Sequence, residues 1–107
     1  MAYDQDLVER VLDQMHGTPG LSHRRMFGGY CFLINGHIAT GVRDDRLLVR
    51  FPPAETDTIM ARDGVSEFGG AKRGWVWVSF DVIDDDRTLR DWIQPGVRIA
   101  GALPPKF

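Results

Sequence analysis

Apolar residues recur every three or four positions over residues 3–16, where Tyr3, Leu7, Val8, Val11, Leu12 and Met15 form one stripe of a helix. Asp4 and Asp6 stand near its start, where the helix dipole favours acids, and Gly17, Pro19 and Gly20 end it. Residues 21–26 are a short approach, with a strand beginning near Arg24. The rhythm then shortens to two. Two apolar runs, 30–34 and 37–42, flank Asn35-Gly36. Both turn residues tolerate positive φ, so the pattern predicts a β-hairpin closed by a type I′ turn. That turn sets a register of Ile34 with His37, Leu33 with Ile38, Phe32 with Ala39, Cys31 with Thr40 and Tyr30 with Gly41. Tyr30, Phe32, Ile34, Ala39 and Gly41 then share one face, and Cys31, Leu33, Ile38, Thr40 and Val42 the other. Neither face is plainly polar, and a sheet apolar on both sides is covered on both.

Arg43-Asp44-Asp45-Arg46 reads as a polar turn and 47–51 as a third strand, stopped by Pro52-Pro53. Arg50 points to its wetter side. Pro53 can open a helix, and residues 53–62 read as a short one with Thr56, Ile59 and Met60 inward, closed by Gly64. Residues 65–68 suit a short strand, 69–74 a glycine-rich loop, and 75–80 a strong strand with both tryptophans on one face. Asp84-Asp85-Asp86 is an acidic turn able to cap a helix. From Arg87 onward Leu89, Trp92, Ile93, Ile99, Ala100 and Leu103 keep a helical rhythm, interrupted by Pro95-Gly96. An interior proline costs ~3 kcal/mol, which predicts a kink near 91–95 or two short helices. The order α-β-β-β-α-β-α indicates an α+β fold, a two-layer sandwich with an antiparallel sheet and helices on one face. The second face is left apolar, which predicts a homodimer or a stable partner.

The chain has 107 residues, 43% of them apolar, enough for one domain spanning 1–107 with its own core. Its single cysteine, Cys31, excludes an intrachain disulfide. The net charge is −2, unevenly spread: acids dominate the first helix, while Arg24, Arg25, Arg43, Arg46 and Arg50 make the middle basic. A domain that binds DNA unaided carries a clustered basic surface, so strong DNA binding alone is not expected. There is no charged-then-apolar leader and no apolar run of ~18 residues. The expected location is the cytoplasm, with no membrane partner.

Chemistry is sparse. Gly28-Gly29 precede a strand and lack the following Lys-Ser or Lys-Thr, so they do not make a phosphate loop. Gly28, Gly29, Gly36, Gly41 and Gly74 read as structural. Cys31 with His16, His23 and His37 matches no zinc spacing, and a mid-strand cysteine is a small buried hydrophobe. No serine sits in a Gly-x-Ser-x-Gly elbow. Trp75 and Trp77 could stack on planar groups, but alternate tryptophans on a strand more often serve a core or an interface. No enzyme activity, metal or cofactor is expected.

Several segments together carry a resemblance. They are Met1-Ala2-Tyr3-Asp4, Met26-Phe27-Gly28-Gly29, Phe32-Leu33 with Asn35-Gly36, Gly41-Val42, Leu47-Leu48-Val49-Arg50, Gly74-Trp75-Val76-Trp77-Val78 and Leu103-Pro104-Pro105-Lys106. In this order and spacing the chain resembles the N-terminal domain of TfoX/Sxy, the bacterial competence regulators, nearly from end to end. The resemblance implies a two-layer α+β domain similar to secretion-chaperone folds, in a cytoplasmic bacterial protein without a known catalytic site. It also implies a role in transcription. The family's named members are co-activators of DNA-uptake genes that act with the cyclic-AMP receptor protein, and they carry a second, C-terminal domain. Gln94-Pro95-Gly96 departs from the family's smoother last helix.

The reading that follows is a non-enzymatic regulatory domain that binds a protein partner. Its expected contact surface is Arg24, Arg25, Met26, Phe27, Arg43, Arg46 and Trp75, with arginines for charge-assisted contacts and aromatics as buried anchors. The alternative is a small-molecule or peptide binder that uses a groove between the 69–74 loop and the sheet, with Lys72 and Arg73 holding an anion.

Overall fold

Two-residue turns organise the sheet. In the computed structural model, which describes residues 3–70 and 72–106, Asn35 and Gly36 take φ of 53° and 86°, as a type I′ turn requires. Phe27 and Gly28 do the same at 53° and 75°, so a second tight hairpin precedes the first. The approach segment at 21–26 is therefore a full strand of the sheet. Met1 and Ala2 of the opening motif and Ala71 of the glycine loop lie outside the described residues.

The strands are β1 (Leu21–Met26), β2 (Gly29–Ile34), β3 (His37–Arg43), β4 (Arg46–Arg50), β5 (Val65–Glu67) and β6 (Trp75–Val78). They form one antiparallel sheet in the order β1-β2-β3-β4-β6-β5. Helices α1 (Gln5–Met15), α2 (Thr56–Met60) and α3 (Asp86–Ala102) share a single core with one face of the sheet. The α+β sandwich is as expected; the strand anticipated near Arg24 starts three residues earlier, at Leu21, and the short one anticipated at 65–68 forms as β5.

The predicted hairpin register holds for Ile34 with His37 and Leu33 with Ile38, then slips. Beyond that point Phe32 faces Thr40, Cys31 faces Gly41 and Tyr30 faces Val42. Ala39 is the extra residue of a β-bulge. The slip corrects the expected faces. Val42 joins Phe32 and Ile34 in the helix-side core, and Gly41 moves to the opposite face beside Cys31. Helix α3 meets the sheet at this point. A Cβ on Gly96 would overlap the carbonyl oxygen of Ala39, so helix and bulge meet backbone to backbone.

Helix α3 is continuous through Pro95 and neither splits nor ends there. Leu89, Trp92, Ile93, Gly96 and Ala100 are all buried on one stripe, and their packing outweighs the one backbone bond that proline removes. Asp85 caps the helix, its Oδ1 accepting from the N–H of Arg87 and Thr88 at 2.9 and 3.1 Å. These bonds and one from the Thr88 hydroxyl hold the Asp85 carboxyl below its ordinary value. Helix α1 starts two residues later than its stripe, capped by Asp4 at 3.1 Å from the N–H of Leu7. Tyr3 instead bridges to Asp44 and lies against Tyr30. Strand β6 ends at Val78, and Phe80 begins a 3₁₀ turn as an exposed residue. The short helix at 53–62 is a 3₁₀ turn, Pro53–Glu55, followed by α2.

At one end of the sheet the 104–106 segment is tied to the Asn35-Gly36 turn. The N–H of Lys106 donates to the Asn35 carbonyl at 2.7 Å, and His37 Nε2 lies 2.6 Å from the carbonyl oxygen of Pro104. No described helix is long and apolar enough to cross a membrane.

Candidate partner and ligand groove

The face of the sheet turned away from the helices carries the alternate residues of each strand. Arg24 and Met26 of β1, Cys31 and Leu33 of β2, Ile38 and Gly41 of β3, Leu48 of β4, and Trp75 and Trp77 of β6 all point there. Phe68, just past β5, folds over this face with its ring 6.0 Å from Trp75 and 5.5 Å from Trp77. Arginines cover the outer faces of the tryptophans. The Arg46 guanidinium sits 4.6 Å from the Trp77 ring and that of Arg50 4.8 Å from Trp75. Arg50 also donates to the carbonyl of Ile38 at 3.0 Å, and burial lowers its pKa from the ordinary arginine value.

Between these groups lies a cavity of about 310 Å³, floored by Cys31, Ile38, Gly41 and Leu48 and walled by Phe68 and Trp77. Arg43 and Lys72 also line it. A broader hollow shares Met26, Phe27, Ile38 and Trp75 with it and runs on to Leu33, His37 and Lys106. The two make one groove across the strands. Burial pushes the Cys31 thiol above its ordinary value, and the nearby Arg24 partly offsets this.

Phe27 stands over both hollows at the tip of the β1–β2 hairpin. It is 76% exposed, the most exposed large apolar side chain among the described residues. It also occupies the left-handed region, at φ 53°. Bulky side chains avoid that conformation, at ~1–2 kcal/mol per residue, whereas Asn or Gly would sit there freely. An aromatic residue held exposed in strained backbone marks a place where side chain counts for more than stability.

Charge is spread unevenly between the two layers. Arg24, Arg43, Arg46, Arg50 and Lys72 border the groove, with Asp44, 3.9 Å from Arg46, as the acid paired to them among the described residues. Asp6, Glu9 and Asp13 of α1 and the Asp84-Asp85-Asp86 turn are exposed on the helical side, where Arg10 of α1 and Arg87, Arg90 and Arg98 of α3 offset part of their charge.

Of the expected contact residues, the fold gathers Arg24, Met26, Phe27, Arg43, Arg46 and Trp75 on the groove side. Arg25 is a correction. It lies opposite Tyr30 and so points to the helical side. Lys72 and Arg73 do not converge on one anion either. Lys72 faces the cavity, while Arg73 pairs with Asp57 at 3.4 Å and donates to the carbonyl of Pro53. Among the glycines, Gly29 abuts the Val42 carbonyl, Gly36 the Lys106 backbone, and the N–H of Gly74 donates to Thr56 Oγ1. Ile38, Leu48, Phe68 and Arg50 were not among the expected contact residues. The signal for Arg50 was its place opposite Trp75 across two strands, visible only once β4 is paired with β6.

No curated protein and no solved structure matches the chain. The profile of the TfoX N-terminal domain family does match, over residues 13–100. That span takes in the Phe27-Gly28 turn, the Asn35-Gly36 turn, all six strands and most of α3, so it covers the whole sheet that carries the groove. On that match the chain belongs to the TfoX N-terminal domain family.

Proposed function

We propose that this is a regulatory protein-interaction domain that docks an acidic, apolar-centred surface of a transcription regulator into the groove on the open face of its sheet. The observation that carries the reading is Phe27, an exposed aromatic kept in strained backbone above an apolar groove bordered by arginines. Aromatic and arginine side chains are the types that dominate binding energy at interfaces. A second copy using the same face would bring five cations against five like charges, which favours an acidic partner over a symmetric groove-to-groove dimer. The family's competence co-activators make a regulator such as the cyclic-AMP receptor protein the first partner to test. The chain's net negative charge fits DNA contact made through that partner.

The test is affinity capture from the protein's own cell lysate, with and without nuclease, using the wild-type chain and Phe27→Ser. Recovery of a transcription regulator or of polymerase subunits by the wild type, and loss with Phe27→Ser, is the expected result. Equal recovery by both would remove the groove from the interface. Recovery of neither class of protein by the wild type would overturn the regulatory reading.

A further inference from the structure

The geometry points to a small-molecule site at the deep end of the groove, one that takes an apolar carboxylate. The cavity beneath Phe68 measures about 310 Å³, at the lower end of the ~300–1,000 Å³ common for ligand pockets. Cys31, Ile38, Leu48, Phe68 and Trp77 line it with carbon and sulfur, and Gly41 leaves the floor without a side chain. Such walls favour an aliphatic or aromatic body, since their burial removes apolar surface from water.

Two cations, Arg43 and Lys72, face the same space, and no carboxylate lines it. The ion pairs among the described residues use Arg10, Arg46 and Arg73, so the charges of Arg43 and Lys72 are uncommitted. A guanidinium presents a planar fork that matches a carboxylate, and the lysine adds a point charge beside it. A cationic ligand would meet two like charges there. A nucleotide fits less well, because Arg46 and Arg50 already occupy the faces on which a base would stack. The cavity is thus shaped and charged for one anionic head on an apolar body. The site shares Phe27, Arg43 and Trp75 with the partner surface proposed above, but it does not rest on that reading.

Decanoate and indole-3-acetate are the probes, with decanol and indole as their uncharged counterparts. Calorimetry gives the affinity. The rate at which Cys31, the only cysteine in the chain, reacts with a thiol reagent gives the location. The expected result is saturable one-to-one binding of at least one acid, with slower Cys31 modification and about tenfold weaker binding of the uncharged counterpart. Arg43→Gln and Lys72→Glu alter exposed side chains, and each should weaken that acid about tenfold at an unchanged melting temperature. No saturable binding of either acid, equal binding of acid and uncharged counterpart, or binding that leaves Cys31 labelling unchanged would each overturn the site. Partner capture is run without added acid, so the two readings fail separately.

Discussion

Gly96 of α3 rests on the carbonyl of Ala39, the residue that β3 inserts at its bulge. The helix lies this close only because position 96 has no side chain. In a helix interior Gly→Ala ordinarily stabilises by ~0.5–1 kcal/mol. Here the sign reverses, and Gly96→Ala should destabilise by about 1–3 kcal/mol through overpacking. Gly101, five residues on, is the internal control. A Cβ there would meet Ile34 Cγ2 at 3.8 Å, an ordinary contact, so Gly101→Ala should stabilise. Urea unfolding midpoints of the two variants should move in opposite directions.

Phe27→Asn should stabilise the domain. Asn accepts the left-handed φ of 53° that Phe27 is made to hold, and the side chain removed is mostly in solvent. The gain expected is about 1 kcal/mol, read as a raised melting temperature. The same variant should lose partner capture. A lowered melting temperature would show that Phe27 serves the fold.

Thr56 joins two distant segments through one hydroxyl. Its Oγ1 donates to the Pro53 carbonyl at 2.6 Å and accepts from the buried N–H of Gly74 at 3.1 Å. Thr56→Val keeps the shape and strands that N–H, at a cost of about 1–3 kcal/mol. Thr56→Ser should retain most of the stability, and comparing their unfolding midpoints separates the bonds from the packing.

Cys31 should make stability fall at alkaline pH. Its thiol is pushed up by burial in the fold, so its contribution is complete below the unfolded thiol's pKa of about 8.5. Above that pH the unfolded chain ionises first, and the contribution is lost as pH rises through the folded value. Between about pH 7 and pH 10 the urea midpoint of the wild type should drop further than that of Cys31→Ala. Parallel profiles would show that the buried thiol has no such effect.

Much of this fold was legible because its turns are chemical. Asn35-Gly36 admits one tight turn and so determined where β2 ends and β3 begins. The alternation of Trp75 and Trp77 with Val76 and Val78 assigned both faces of β6 correctly. What the sequence hid were decisions made at a distance. The slip at Ala39 falls where a helix residue 57 positions later meets the sheet, and no local pattern in β3 records it. The turn at Phe27-Gly28 was hidden because phenylalanine is a poor residue for positive φ. A strained position obscures the very element it belongs to. Pro95 left a kink or a split open, and the split does not occur: its local cost is real, but the buried stripe from Leu89 to Ala100 outweighs it. For the candidate site, side-chain type pointed to the arginines and Trp75, while strand pairing alone decided that Arg24 and not Arg25 faces the groove.

The acidic α1 and the basic rim of the groove lie on opposite layers, so the groove acts at a distance as well as on contact. A partner with an acidic patch is drawn toward the sheet and pushed away from α1 before any side chains touch. Approach is thereby narrowed to one hemisphere, which raises the fraction of encounters that arrive correctly turned. Added salt should slow association far more than it speeds dissociation, since ions screen the long-range pull and leave the apolar contacts in place.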